Sequence, residues 1–174
     1  MNGYLMQERE WTPGQDLFVE SFSPENVYGV VFEDDGDAAY FYAVEKDKEG
    51  AGLRVLDALH INETEGPGDE GSPDHGSAGH PAADPGSQPS DTAANDPDAD
   101  DRGNRASAAP APPSKLLIVW SKDWSKCALV IAGLCHAIFD FREQAGYNIN
   151  EFPPPNDFWT KGDRKITMER LRNF

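Results

Sequence analysis

Apolar and polar positions alternate in short β-prone runs on either side of a long stretch that has almost no apolar side chains. Leu17-Phe18-Val19-Glu20-Ser21-Phe22 is brief and rich in aromatic and β-branched residues, the signature of a strand. Residues 28–33 and 38–44 form two more such runs around Asp34-Asp35-Gly36-Asp37. Asp-Gly is a strong hairpin signal because glycine adopts positive φ without steric cost. With Asp35 and Gly36 as the turn pair, Val30 faces Phe41 and Val31 faces Tyr40, and both faces are apolar enough for a central hairpin. Residues 55–61 predict a fourth strand. The continuous apolar run 116–120 reads as a strand covered on both sides. Residues 126–131 and 134–141, separated by Ala132-Gly133, predict a second hairpin, and the tail 163–172 reads as a short capped helix. The fold class is therefore mainly β (α+β): an antiparallel sheet of about six or seven strands built from hairpins, with a short C-terminal helix.

Between the two blocks, residues 62–114 contain no Val, Ile, Leu, Met, Phe, Trp, Tyr or Cys, and carry nine prolines and seven glycines. Ordering a backbone costs ~1–2 kcal/mol per residue, and a segment with nothing apolar to bury cannot offset it. A long disordered acidic insertion is expected there. Neither flank has an obvious core of its own, and loop-closure cost rises only logarithmically with length. Residues 1–61 and 115–174 are accordingly expected to form a single discontinuous folded domain.

Composition narrows the function. The 174 residues carry a formal charge of −16, of which −9 lies in 62–114. That balance disfavours nucleic acid, whose binding needs clustered Lys and Arg, and equally an anionic bilayer. No run approaches the ~18 consecutive apolar residues of a membrane span. The first residues lack the basic flank and apolar run of a signal peptide, so a cytoplasmic protein is expected.

Candidate chemistry is sparse. Two cysteines in a cytoplasmic protein predict free thiols. If Ala132 and Gly133 form a two-residue turn with uninterrupted pairing, Leu129 opposes His136 and Cys127 opposes Ile138. Cys127 then shares a face with His136 and Asp140, while Cys135 lies on the other. Thiol, imidazole and carboxylate together are what nucleophilic catalysis requires. Against this, His136 and Asp140 are roughly 13 Å apart along an extended strand, and buried cysteines commonly serve as small hydrophobes. Glu33, Asp34, Asp35 and Asp37 crowd one turn, but they lack the ligand spacing of a calcium loop and read as a solvated hairpin tip. The four histidines are scattered, so neither metal nor cofactor is expected. Trp11, in Glu10-Trp11-Thr12-Pro13-Gly14-Gln15, is a candidate binding residue. So are Phe152, Phe158 and Trp159, which frame Pro153-Pro154-Pro155. A polyproline segment can dock into an aromatic groove, but more commonly acts as a rigid strap whose rings cap a sheet or core.

Trp11-Thr12-Pro13-Gly14-Gln15, Phe18-Val19-Glu20-Ser21, Ser23-Pro24-Glu25 and the run 28–36 together resemble a bacterial family catalogued as domain of unknown function 2251. Ile118-Val119-Trp120-Ser121, the run 136–141 and Phe152-Pro153-Pro154-Pro155-Asn156 extend the resemblance, in the same order, over both blocks. The acidic insertion departs from the family pattern, and Ala132-Gly133 stands where Asn-Gly is usual. The resemblance implies a bacterial, cytoplasmic protein and brings no catalytic residue or cofactor with it.

These features favour a non-catalytic, acidic protein-binding module of the inhibitor or immunity type, whose partner is a basic protein. A small enzyme using the Cys127/His136/Asp140 face is one alternative, and a structural subunit is another. Oligomeric state is left open.

Overall fold

A computed structural model describes residues 3–47, 52–63 and 112–174. They form nine strands and one short helix: β1 (Gly3–Trp11), β2 (Leu17–Phe22), β3 (Tyr28–Asp34), β4 (Ala38–Lys46), β5 (Leu53–Glu63), β6 (Ser114–Ser121), β7 (Lys126–Ile131), β8 (Leu134–Asp140), β9 (Ala145–Asn148) and α1 (Met168–Arg172). The strands divide between two antiparallel sheets, one ordered β1-β6-β7-β8-β9 and the other β2-β3-β4-β5. The fold is mainly β and antiparallel, but a single sheet of six or seven strands is replaced by two layers. Each hairpin has an apolar face that one flat sheet would leave wet, and stacking the layers buries each face against the other.

Two strands escape sequence reading. In β1 every residue before Trp11 is at least partly exposed, so no alternation marks it, and pairing with β6 is what makes it a strand. β9 consists of Ala, Gly, Tyr and Asn, of which only Tyr favours strands. The expected disordered insertion lies largely outside the described residues. At its margins Asn62 and Glu63 continue β5 opposite Ala39 and Ala38, and Ser114 opens β6 opposite Trp11.

Both hairpins depart from their expected registers, with different consequences. In β3–β4 the turn pair is Gly36-Asp37, so Phe32 rather than Val30 opposes Phe41. Partners move by two, an even step, so Val30, Phe32, Phe41 and Ala43 still share the core face. In β7–β8, Ala132 (φ 50°) and Gly133 (φ 82°) form the turn as expected and Ile131 opposes Leu134. Pairing then slips between Leu129 and Val130, leaving His136 unmatched in a bulge. Beyond it Leu129 opposes Ala137 and Cys127 opposes Phe139. An odd step exchanges the faces.

The interior between the layers draws Val30, Phe32, Phe41 and Leu59 from one sheet and Leu116, Ile118, Trp120, Leu129 and Phe139 from the other. Both blocks of the sequence thus contribute to it. Rings dominate: Phe41 stacks on Phe139, Trp120 on Phe141, and Trp11 meets Phe32 edge-on. The indole of Trp120 donates to Ser21 Oγ across the layers at 3.0 Å. On the outer face of the five-stranded sheet a smaller cluster of Ala128, Cys135, Ile138 and Tyr147 receives Ile166, Leu171 and Phe174 from the tail.

The tail is helical only over Met168–Arg172, with Thr167 as N-cap accepting from Arg170 N. Residues 163–166, expected within the helix, lie outside it, with only Lys165 in an isolated bridge. Arg164 turns inward, its carbonyl accepts from Asn148 N, and Lys165 bridges to Asn148. Apolar packing of Ile166, Leu171 and Phe174 seats this segment.

Ala132 occupies a left-handed conformation that costs an L-residue roughly 1–2 kcal/mol, while asparagine adopts it far more readily. Ala132→Asn is expected to raise stability by about 1 kcal/mol, read as a higher urea midpoint with an unchanged m-value.

Candidate functional site

The bulge decides the fate of the thiol–imidazole–carboxylate face. Cys127 is fully buried between the sheets with Leu129, Ala137 and Phe139. Asp140 points to the opposite face, where it pairs with Lys126 Nζ at 2.9 Å and accepts from the backbone of Arg142 and Glu143. The expected sharing of one face by Cys127 and Asp140 is therefore corrected, because one inserted residue reverses every side chain beyond it. His136 is half-buried. Its Nδ1 has no hydrogen-bond partner among the described residues, and burial pushes its pKa down. Burial also drives the Cys127 thiol well up, and Cys135 to about 12, so neither is a ready nucleophile. Both cysteines are free, and they belong to separate clusters on the two faces of the five-stranded sheet.

The aromatic candidates separate into pairs. Trp11 is buried and its indole donates to Asp34 Oδ2 at 2.8 Å. Asp34 also accepts from Gly14 N and Gly36 N, so this carboxylate anchors two loops instead of belonging to a solvated tip. Trp159 is buried edge-on against Phe139 and Phe141. Phe152 is half-exposed with its ring edge-on to His60, and Phe158 is 90% exposed. Two of the four rings are interior anchors and two face solvent.

Sequence inspection missed a buried polar centre. Asp57 on β5 faces the interior and forms a double ion pair with Arg164, Nη1 to Oδ2 at 2.8 Å and Nη2 to Oδ1 at 2.9 Å. Thr160 Oγ1 donates to Oδ2 at 2.6 Å and Asn156 Nδ2 to Oδ1 at 3.0 Å. A Cβ on Gly146 would come within 2.9 Å of Asp57 Oδ2 and 2.8 Å of the Phe139 ring, so only glycine fits there. Beside this centre a cleft of about 610 Å³ is lined by Asp57, Asn156, Trp159, Tyr28, Val55 and the exposed Phe158, with the Arg54–Glu45 ion pair at its edge. A carboxylate held by arginine, threonine and asparagine side chains of one segment suits a structural anchor. No pattern in the sequence links residues a hundred positions apart.

The outer face of the four-stranded sheet offers different chemistry. Period-two alternation places Phe18, Glu20 and Phe22 of β2, Val31 and Glu33 of β3, and Tyr40 and Tyr42 of β4 on it. Phe18 is 61% exposed, Glu20 and Glu33 are exposed, and the two tyrosines are half-buried with stacked rings 5.9 Å apart. Lys46 Nζ sits 4.2 Å above the Phe22 ring. Val31 is buried among its neighbours, and Tyr40 meets the His60 ring, itself edge-on to Phe152, so the exposed part of this face is Phe18, Glu20 and Glu33 with the edges of the tyrosines. The alternation was visible in the sequence, but which face would be covered was not.

No group of metal-ligating side chains occurs among the described residues, and no helix there is long and apolar enough to cross a membrane. Fold and site together define a mainly β protein of two antiparallel layers with an aromatic, carboxylate-bearing open face. The chain belongs to the bacterial family described as "Uncharacterized protein conserved in bacteria (DUF2251)", which matches residues 11–75 and 104–174. It is similar to an uncharacterized protein of Haemophilus influenzae (strain Rd), with 26% identity over 149 residues. The match covers 84% of this chain and 65% of that protein, so the chain spans less than two thirds of its relative's length. No solved structure matches.

Removing one member of a buried ion pair leaves the other charge without a partner, at a cost of about 3–5 kcal/mol. Arg164→Ala should lower unfolding free energy by that amount, and Arg164→Met combined with Asp57→Leu should recover a large part of it, both read from urea denaturation. The thiols provide a second test. Iodoacetamide at pH 8 should modify Cys127 at least about 100-fold more slowly in the native chain than in urea, because attack requires an exposed thiolate; equal rates would restore Cys127 as a candidate nucleophile.

Proposed function

We propose that the protein is a non-catalytic, acidic protein-binding module of the inhibitor or immunity type, and that its partner is a basic protein. The observation that carries this reading is the outer face of the four-stranded sheet, where Phe18 and Tyr40 flank Glu33, and Glu20 and Tyr42 stand on either side of Val31. Aromatic side chains, tyrosine above all, supply much of the energy of protein interfaces because they bury large areas at low entropic cost. A formal charge of −16 adds long-range attraction for a cationic partner, raising its association rate more than its final affinity. The enzymatic alternative through Cys127 draws no support from a thiol enclosed by Leu129, Ala137 and Phe139.

A cationic protein such as cytochrome c serves as the probe, titrated into the full chain by calorimetry. Binding is expected at about 0.02 M salt and to weaken at least about tenfold by about 0.3 M, where the Debye length falls below the span of the face. Glu33→Lys with Phe18→Ala should weaken it more than Glu143→Lys, whose equal charge change lies elsewhere on the surface. Salt-independent binding, or no binding at low salt, would refute the reading.

A further inference from the structure

Resting on that reading, we propose that Glu33 and the rings beside it form a seat for a single cationic side chain of the partner, a guanidinium or ammonium group set down onto the outer face of the four-stranded sheet. Glu33 lies directly opposite Phe18 on β2 and directly opposite Tyr40 on β4. Directly opposed residues stand about 4.5–5.5 Å apart at Cβ, so the carboxylate has an aromatic ring on each flank. Tyr42 stacks on Tyr40 at 5.9 Å, and burial first, with the Glu33 charge second, raises its phenol pKa. One carboxylate with a ring opposite it on each side, and a third stacked behind Tyr40, offers a cation a charge to pair with and π-faces to rest on, a combination strongest when the group is partly desolvated.

The seat is open. Among the described residues no lysine or arginine forms an ion pair with Glu33, although Glu45, Glu8, Asp123, Asp140, Asp57 and Asp163 are all paired. The same face already shows the interaction once, with Lys46 resting on Phe22 at 4.2 Å. Charge selects the occupant. A second copy would bring Glu20 and Glu33 against a chain that itself carries −16, and residues 62–114 carry −9. A purely apolar occupant would strip water from Glu33 and return no partner for it. A basic side chain satisfies both carboxylate and rings.

The probe is N-acetyl-argininamide, titrated into the full chain and followed by NMR of assigned ring and methyl resonances. The expected result is saturable movement of the Phe18, Tyr40 and Tyr42 ring signals, with cross-relaxation between the probe's δ-methylene and the Phe18 ring. Glu33→Gln and Phe18→Ala should each weaken binding about fivefold or more, whereas Glu25→Gln, an equal charge change in an exposed turn, should leave it within twofold. Both seat residues are exposed, and unchanged urea midpoints for the variants verify that the fold is intact. Shifts spread over the exposed carboxylates, with Glu33→Gln and Glu25→Gln losing equally, would overturn the seat. If cytochrome c still binds with its salt dependence while Glu33→Gln has no effect on either ligand, the seat is wrong and the binding module stands. If neither ligand binds, both fall.

Discussion

Taking an aspartate and an arginine out of water costs several kcal/mol per ion, and their attraction returns that only when the remaining lone pairs and N–H groups are answered as well. The Asp57–Arg164 pair meets this condition on the carboxylate side. Each oxygen of Asp57 receives one arginine nitrogen and at least one further donor, Thr160 for Oδ2 and Asn156 and Ala58 N for Oδ1. Apart from Ala58 N on β5 itself, the donors come from the segment after β9, so the pair fastens the proline-containing strap and the tail to β5. Much follows from that anchorage. Gly146 is held to glycine, Trp159 is brought in against Phe139 and Phe141, and residues 163–166 stay out of the helix. Asn148 adds to it by donating to the carbonyls of His60 and Phe152.

The two hairpins show how unequal errors of register can be. Moving the β3–β4 turn by one residue shifts partners by two and leaves the core face unaltered, so Val30, Phe32, Phe41 and Ala43 are interior under either alignment. One extra residue at His136 shifts partners by one, sending Cys127 inward and Asp140 outward. Turn chemistry alone could not reveal the bulge, since Ala132-Gly133 makes the expected turn and the irregularity begins one pair further on. A thiol–imidazole–carboxylate reading that depends on parity changes completely with that one residue.

Functionally, the molecule separates its aromatic groups by role. Trp11, Trp120 and Trp159 have their bodies in the interior, and Trp11 and Trp120 satisfy their indole N–H groups on Asp34 and Ser21. Phe18, Tyr40 and Tyr42 instead stand on a sheet face beside carboxylates. The exposed Phe18 ring beside Glu33 gains little within the chain, whereas the same pair is complementary to a cation. That contrast gives a binding reading of the open face its physical content, independent of the overall charge.

The mainly β class, seven of the nine strands and the Ala132-Gly133 turn were legible along the chain, because β-prone alternation and turn residues act over a few positions. Family membership was also legible, in runs such as Trp11-Thr12-Pro13-Gly14-Gln15 and Phe152-Pro153-Pro154-Pro155-Asn156. Strands β1 and β9, the division into two layers, the bulge and the Asp57 centre were not. Each of these depends on partners distant in sequence: β1 on β6, Asp57 on Arg164, and the open face on what the opposing sheet leaves uncovered. Local composition determines which segments extend and where they reverse. Only the packing of the layers decides which side of each strand is interior, since burial is a property of the assembled surfaces and not of any one run of residues.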